Sequence, residues 1–226
     1  MVVRNQNELK EKKVFIILGM HRSGTSMVAG MLHKSGICMG EHFRKPLSQN
    51  PKGFFEEEFF RQVNDILLNK AGYNVKEWNT GFSGVKADEE TILLINKVIN
   101  YFNYSFNSWG WKDPRTCLTI NIWLKALYNA NLISKTNIII VNRSVKAVAK
   151  SLIKRGNIMD MYRGEKLHEM YNHYLHKGLL EYLNQLRILE VDYENLIMGK
   201  DLDKLESFCN IKINRSFIDS SLNHAD

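Results

Sequence analysis

The residues best suited to chemistry lie in a short loop that follows the first apolar run of the chain. The run Val14–Leu18 predicts a buried strand, Gly19 and Gly24 bracket the loop, and an apolar helix pattern follows. A strand, a glycine-bearing loop and a helix together aim backbone N–H groups and a positive helix end at a phosphate. In nucleotide triphosphatases a lysine follows the second glycine, whereas Thr25 stands here and Arg22 is the cation of the loop. We therefore predict a phosphate-binding loop without the lysine used in ATP or GTP hydrolysis.

A second junction of strand and helix lies in the middle of the chain. The apolar run 138–142 ends at Arg143, and Ser151 follows eight residues later on a predicted helix. This junction and the loop sequence Gly-Met-His-Arg-Ser-Gly-Thr-Ser at 19–26 resemble the two signatures of sulfotransferases that use 3′-phosphoadenosine 5′-phosphosulfate (PAPS). The resemblance is closer to bacterial sulfotransferase-like proteins, whose loops read Arg-Ser-Gly-Thr. It covers about residues 14–222, with further matches at 50–56, 109–115, 191–196 and 217–222.

This resemblance implies where the nucleotide PAPS would bind. The amides and hydroxyls of the loop would hold its 5′-phosphosulfate, Arg143 and Ser151 would hold its 3′-phosphate, and Tyr193 would lie near its adenine. The implied cofactor-binding residues are His21, Arg22, Ser23, Gly24, Thr25, Ser26, Arg143, Ser151 and Tyr193.

Catalysis needs groups that stabilise negative charge on the leaving oxygen and a base that takes the acceptor's proton. Arg22 occupies the position where many family members carry lysine, and Lys112 matches a family lysine at the end of a strand. Three residues remain open as the base. Glu41 ranks first because it matches the glutamate of branches that act on sugars or tyrosine. Glu56 is expected to have a raised pKa beside aromatic residues, and His42 is of the residue type whose unperturbed pKa best suits a base near neutral pH.

The order of strand and helix patterns predicts the fold class. Alternation of the two predicts an α/β fold: one P-loop-like, three-layer domain over residues 1–226, with a central parallel sheet flanked by helices. Residues 1–12 are predicted to form a flexible tail. The predicted strands are 14–18, 108–112, 137–142 and 188–191, and the predicted helices are 23–35, 55–69, 88–102, 122–128, 145–155, 167–187 and 202–209. Both phosphate motifs follow strands, which predicts one shared cleft at the carboxyl ends of the sheet.

Composition restricts the class of partner. The 226 residues carry a net charge of +7 and have a pI near 9.2, which favours an anionic ligand. The basic residues are scattered rather than clustered, so we predict no nucleic-acid partner. Three widely spaced cysteines predict reduced thiols and no metal site. The absence of a signal-peptide pattern, and of any run near the roughly 20 apolar residues that span a bilayer, predicts a cytoplasmic protein.

The acceptor is less constrained than the donor. We expect a hydroxyl group on a carbohydrate, a glycolipid or another small metabolite, and a glycolipid would require peripheral contact with a membrane. The aromatic segment 54–60, with Trp78 and Phe82, is a candidate acceptor pocket, although packing in the core accounts for it equally well. The sequence leaves the oligomeric state open.

Two other functions fit parts of the pattern. One is a catalytically silent nucleotide-binding protein, which would keep the loop without a base. The other is a P-loop kinase with an atypical loop, which the missing lysine disfavours. Residues 156–164, with two glycines, are a candidate lid. Arg155 and Arg215 are candidates to replace a basic C-terminal motif of eukaryotic cytosolic sulfotransferases that this chain lacks.

Overall fold

The computed structural model describes residues 12–46, 50 and 52–218. Within them four strands form one parallel sheet in the order β2-β1-β3-β4. The strands are β1 (Lys13–Leu18), β2 (Ser108–Lys112), β3 (Thr136–Asn142) and β4 (Arg187–Asp192). Ile16 of β1 pairs with Trp111 of β2 on one side and with Ile138 of β3 on the other. The predicted parallel sheet is confirmed, and the carboxyl ends of its strands lie along one edge.

Helices cover both faces of this sheet. They are α1 (Thr25–Lys34), α2 (Glu58–Lys70), α3 (Glu89–Ser105), α4 (Thr116–Asn129), α5 (Val145–Lys154), α6 (Met161–Leu179), α7 (Tyr193–Ile197) and α8 (Leu202–Cys209). Side chains of a strand alternate between its faces, so Val14, Ile16 and Leu18 pack with α2 to α6. Phe15 and Ile17 pack with α1, α7 and α8 on the opposite face. This gives the predicted three layers.

Three helices begin at places that the sequence pattern did not predict. Helix α2 begins after Phe55, because the backbone of that residue is left-handed with φ +51°. Helix α4 begins directly after the turn at Pro114, six residues before the predicted start. Helix α6 begins at Met161 because the Asp160 side chain accepts a hydrogen bond from the amide of Arg163 and caps it. The last part of the candidate lid 156–164 is therefore the first turn of α6.

Only part of each end of the chain lies among the described residues. Of the predicted tail 1–12, only Lys12 is among the described residues, and its ammonium donates to the backbone carbonyl of Asn103. The match at 217–222 also lies partly outside them. Helix α7 was not predicted. It is short and begins where the Asp192 side chain accepts from the amide of Asn195.

A buried polar network joins α2 to α4 beneath the sheet edge. Asn64 is fully buried, and its amide nitrogen donates to Asp113 (2.9 Å) and to the Thr116 hydroxyl (3.0 Å). Its amide oxygen accepts from the Thr119 hydroxyl (2.7 Å) and the Trp123 indole (2.9 Å). The Asn64 side chain thus donates two hydrogen bonds and accepts two. Together they fix α2 against α4.

Replacing Asn64 should therefore destabilise the fold. We expect Asn64→Ala to lower the free energy of unfolding by about 2–4 kcal/mol, because it leaves buried partners unsatisfied. Urea denaturation measures this change. Asn100→Ala, at an exposed position of α3, is the control and should change stability by less than about 0.5 kcal/mol. A loss below about 1 kcal/mol for Asn64→Ala would show that the network is not structural.

Candidate functional site

The loop between β1 and α1 turns through left-handed backbone at three positions. Gly19, Arg22 and Gly24 have φ of +148°, +73° and +86°. A Cβ atom at position 19 would lie 2.7 Å from the carbonyl oxygen of Val141, and one at position 24 would lie 2.1 Å from the Tyr193 ring. Both glycines are therefore required by close packing as well as by conformation.

Gly24 is also the residue at which α1 begins. Glycine has no side chain with which to cap the first amides of a helix, and Gly24, Thr25 and Ser26 line a cleft at the sheet edge. The start of α1 thus presents amide donors, two hydroxyls and the positive end of the helix to this cleft. Ser23 is buried beneath the loop.

Four of the predicted nucleotide-binding residues form one connected cluster with this loop. The Arg22 guanidinium donates from Nε to the Ser151 hydroxyl (2.8 Å). Arg143 donates from Nη1 to the carbonyl oxygen of Arg22 (2.9 Å) and lies over the Tyr193 ring, 4.4 Å from its centroid. The Tyr193 ring in turn lies against Gly24. The two motifs are more than 120 residues apart in the sequence, and the fold brings them together. This is the arrangement that the predicted shared cleft needs.

Positive charge is concentrated beside Arg22. Burial, and then the neighbouring charges of Arg155 and Arg143, lower the pKa of Arg22 to about 10. Burial and like charges destabilise the charged form of Arg22. A bound anion therefore stabilises this guanidinium more than it would stabilise an exposed arginine.

A second cluster of charges lies at the end of β2. The ammonium of Lys112 and the carboxylate of Glu56 are 2.9 Å apart, and the two residues are only 1% and 8% exposed. Arg115 lies 3.9 Å from Glu56 and pairs with Asp113 at 2.7 Å. A buried lysine is tolerated here because its charge is paired.

The pKa of Glu56 differs in direction from the sequence-based expectation. Burial raises it, but the charges of Lys112 and Arg115 and the hydrogen bond from Lys112 together outweigh burial, so the pKa lies below its ordinary value. The expectation of a raised pKa considered only the adjacent phenylalanines and was wrong. Glu56 is therefore held as a carboxylate.

The cleft that joins both clusters is strongly basic. It encloses about 250 Å³, and among the described residues its wall carries seven basic side chains and one acidic side chain, Glu56. The basic residues are Arg22, Arg44, Lys52, Lys112, Arg115, Arg143 and Arg155. Arg44 and Lys52 were missed by the sequence analysis, because they lie in an irregular segment where no spacing marks them. Arg155 was considered only as a substitute for a missing motif.

Two candidates for the base lie outside this cleft. The Glu41 carboxylate accepts a hydrogen bond from the hydroxyl of Tyr101 (2.7 Å), and neither Glu41 nor His42 lines the cleft. The backbone amides of both donate to the buried carboxylate of Glu57. Of the three candidates, the structure brings only Glu56 together with the phosphate loop.

His21 lines the cleft and packs against aromatic rings. Its ring lies edge-on to Trp78 (centroids 5.1 Å apart) and to Tyr171 (5.8 Å), and among the described residues its Nε2 has no hydrogen-bond partner. Burial, and then the charge of Arg115, lower the pKa of His21 to about 3, so the imidazole is neutral. Trp78 thus packs on the loop. Phe60 and Phe82, also in the candidate acceptor pocket, are buried in the core.

All three cysteines are free, and Cys117 accepts a hydrogen bond at Sγ from the amide of Gly19 (3.3 Å), so it supports the loop.

Nowhere in 12–46, 50 and 52–218 do three or more His, Cys, Asp or Glu side chains cluster as a metal site would need. No helix in this part of the chain has the length and apolar character to cross a bilayer.

Comparison with known proteins identifies the fold. No family model and no curated protein matches the sequence. Among solved structures, the sulfotransferase domain of the olefin synthase of Synechococcus PCC 7002 matches with a TM-score of 0.52 and 16% identity, over 92% of this chain and 77% of that one. Sulfotransferase STF1 from Mycobacterium tuberculosis H37Rv matches with a TM-score of 0.43 and 12% identity, over 95% and 70%. The chain therefore has the P-loop-like α/β fold of sulfotransferase domains.

Proposed function

We propose that this protein is a sulfotransferase of bacterial type that uses PAPS and transfers a sulfuryl group to a hydroxyl of a carbohydrate, a glycolipid or another small metabolite. The observation that carries the proposal is the meeting of the loop and the second motif in one basic cleft, through the Arg22–Ser151 and Arg143–Arg22 hydrogen bonds. The proposal includes a cytoplasmic location, 3′-phosphoadenosine 5′-phosphate as the product, and no requirement for a metal or a nucleic acid.

The residues of the cleft fit such a nucleotide. Its phosphate and sulfate groups are polyanionic, which matches the seven basic side chains of the wall. The amides of Gly24–Ser26 and the hydroxyls of Thr25 and Ser26 would hold the 5′-phosphosulfate, whereas the amide of Ser23 already donates to the carbonyl oxygen of Met20 (3.2 Å). Arg143 and Ser151 would hold the 3′-phosphate, with Tyr193 beside the adenine.

The chain's own groups then have distinct roles. Bound PAPS would supply the SO3 group, which passes to the acceptor oxygen as its bond to the 5′-phosphate oxygen breaks. Glu56 would accept the proton of the acceptor hydroxyl, and Lys112 and Arg22 would stabilise the charge that develops on the leaving oxygen. A weakly basic carboxylate is sufficient because in-line transfer of this type depends mainly on positioning and on charge stabilisation.

Nucleotide binding provides the first test. We expect calorimetry to show that 3′-phosphoadenosine 5′-phosphate binds more tightly than adenosine 5′-phosphate or ATP with magnesium. Arg143→Ala should weaken this binding about 10- to 100-fold, because a charge-assisted contact to the 3′-phosphate is lost.

Lys150→Ala removes the same charge from an exposed position of α5 and serves as the control, with a change below about threefold. A preference for ATP with magnesium would favour the kinase alternative. No nucleotide binding at all would contradict the proposal.

The geometry of the loop provides a second test. We expect Gly24→Ala to weaken binding of 3′-phosphoadenosine 5′-phosphate at least about 10-fold, because the new methyl group overlaps the Tyr193 ring and displaces the first amides of α1. Gly36→Ala is a matched control, since φ is +97° there and no atom lies within 4 Å of the added Cβ. It should lose stability through backbone strain alone, with unchanged affinity. Equal affinity in both variants would argue against a role for the loop in binding.

The assignment of the base provides a third test. We expect Glu56→Gln to reduce turnover at least about 100-fold, measured as acceptor-dependent release of 3′-phosphoadenosine 5′-phosphate. Glu41→Gln and His42→Gln, measured separately, should keep most of the turnover at saturating acceptor because neither residue lines the cleft. Glu56→Gln also leaves the Lys112 charge unpaired, at a cost of about 3 kcal/mol, so thermal unfolding and nucleotide binding are recorded for each variant.

The pH profile distinguishes a carboxylate base from a histidine base. With the pKa of Glu56 lowered, the carboxylate stays ionised as pH falls, so kcat/KM should show no acidic limb between about pH 8 and pH 5. A limb near pH 6.5 would instead indicate a histidine base. A wild-type protein that binds the nucleotide and turns nothing over would support the silent-binder alternative.

A further inference from the structure

A second cavity opens beside the basic cleft and shares two of its wall residues. This α2 cavity encloses about 780 Å³ and is bounded by one side of α2, the turn at 42–44 and residues 73–76. Arg44 and Arg115 line both spaces, so the two are contiguous.

The position of the α2 cavity relative to Glu56 follows from Arg115. Its guanidinium lies 3.9 Å from the Glu56 carboxylate on the cleft side. On the other side its Nε donates to Asp65 (3.0 Å), which lines the α2 cavity. Arg115 therefore connects the wall of the α2 cavity with Glu56 in the basic cleft.

The wall of this cavity is polar and already ordered. Arg61 donates to Glu58 (Nη2, 2.5 Å) and to Asp65 (Nη1, 2.6 Å), so Asp65 is held between Arg61 and Arg115. These ion pairs fix both hydrogen-bond donors and acceptors in place, and with Arg44 and Lys76 the wall carries four basic and two acidic side chains. The exposed side chains of Asn69 and Lys76 add further donors.

We propose that the α2 cavity binds the acceptor and that this acceptor is a saccharide with several free hydroxyls. This inference rests on the proposed function. Neutral hydroxyls can donate to the carboxylates and accept from the guanidinium groups at once, whereas a phenol or an alkyl chain would cover these groups without replacing their water. Two apolar wall residues that are partly exposed, Phe43 and Val75, lie beside this polar surface and suit the apolar faces of a sugar ring.

The test measures transfer of radiolabelled sulfuryl from PAPS to two sets of acceptors. One set contains the methyl glycosides of glucose, galactose and N-acetylglucosamine and a malto-oligosaccharide, and the other contains 4-nitrophenol and 1-octanol. Label is expected in at least one saccharide and in neither apolar acceptor. Binding of 3′-phosphoadenosine 5′-phosphate is measured in parallel by calorimetry.

A space-filling variant locates the acceptor. Asn69→Trp should raise KM for the labelled saccharide at least about 10-fold, with affinity for 3′-phosphoadenosine 5′-phosphate within about twofold of wild type. Asn100→Trp makes the same change at an exposed position of α3 that lines neither space, and should leave both values unchanged.

The outcomes separate this inference from the function on which it rests. Nucleotide binding with label only in phenol or octanol, or in no acceptor, would overturn the saccharide assignment and leave the donor site intact. An unchanged KM in Asn69→Trp would overturn the location. Failure to bind any nucleotide would defeat the proposed function and this inference with it.

Discussion

The close contact between the phosphate loop and the ends of β3 and β4 is the constraint on which the rest of the cleft depends. The carbonyl oxygen of Val141 and the ring of Tyr193 approach the loop so closely that only glycine fits at positions 19 and 24. This contact brings Arg143 within hydrogen-bond distance of the Arg22 carbonyl. A loop that stood further from the sheet would keep its amides but would lose the second set of cations.

A continuous series of hydrogen bonds and ion pairs connects the core to the surface of the cleft. Asn64 holds Asp113, Asp113 holds Arg115, and Arg115 faces Glu56, which pairs with Lys112. Each charge in this series is fixed by the next, so the carboxylate in the cleft is oriented by the packing of α2 on α4. The same series explains why a fully buried lysine and a nearly buried glutamate coexist at the end of β2.

The sequence predicted those features that depend on local order and on strand ends. The strand–loop–helix pattern at Gly19 and the apolar run before Arg143 were sufficient to place both motifs at one edge of a parallel sheet. The sequence ranked Glu41 above Glu56, and it could not show that Glu56 alone of the three candidates lines the cleft, because that placement depends on the left-handed turn at Phe55, which residue type does not reveal.

The pKa of Glu56 was mispredicted for a related reason. The adjacent phenylalanines are visible in the sequence, but the lysine that controls this carboxylate is 56 residues away and reaches it only through the fold. Arg44 and Lys52 were missed because an irregular segment offers no periodicity from which their direction could be inferred.

The strand order β2-β1-β3-β4 places β1 inside the sheet, with the chain leaving it toward β2 on one side and returning to β3 on the other. A crevice at the end of β1 is therefore a product of topology and exists whatever side chains surround it. The half of this crevice next to the loop at 19–24 is made of strand ends that are bound to the core, whereas the neighbouring α2 cavity is made of a helix surface and two turns. Substitutions on the exposed side of α2 cost little folding free energy, so under the proposed function a lineage with this architecture can change its acceptor while its nucleotide site stays fixed.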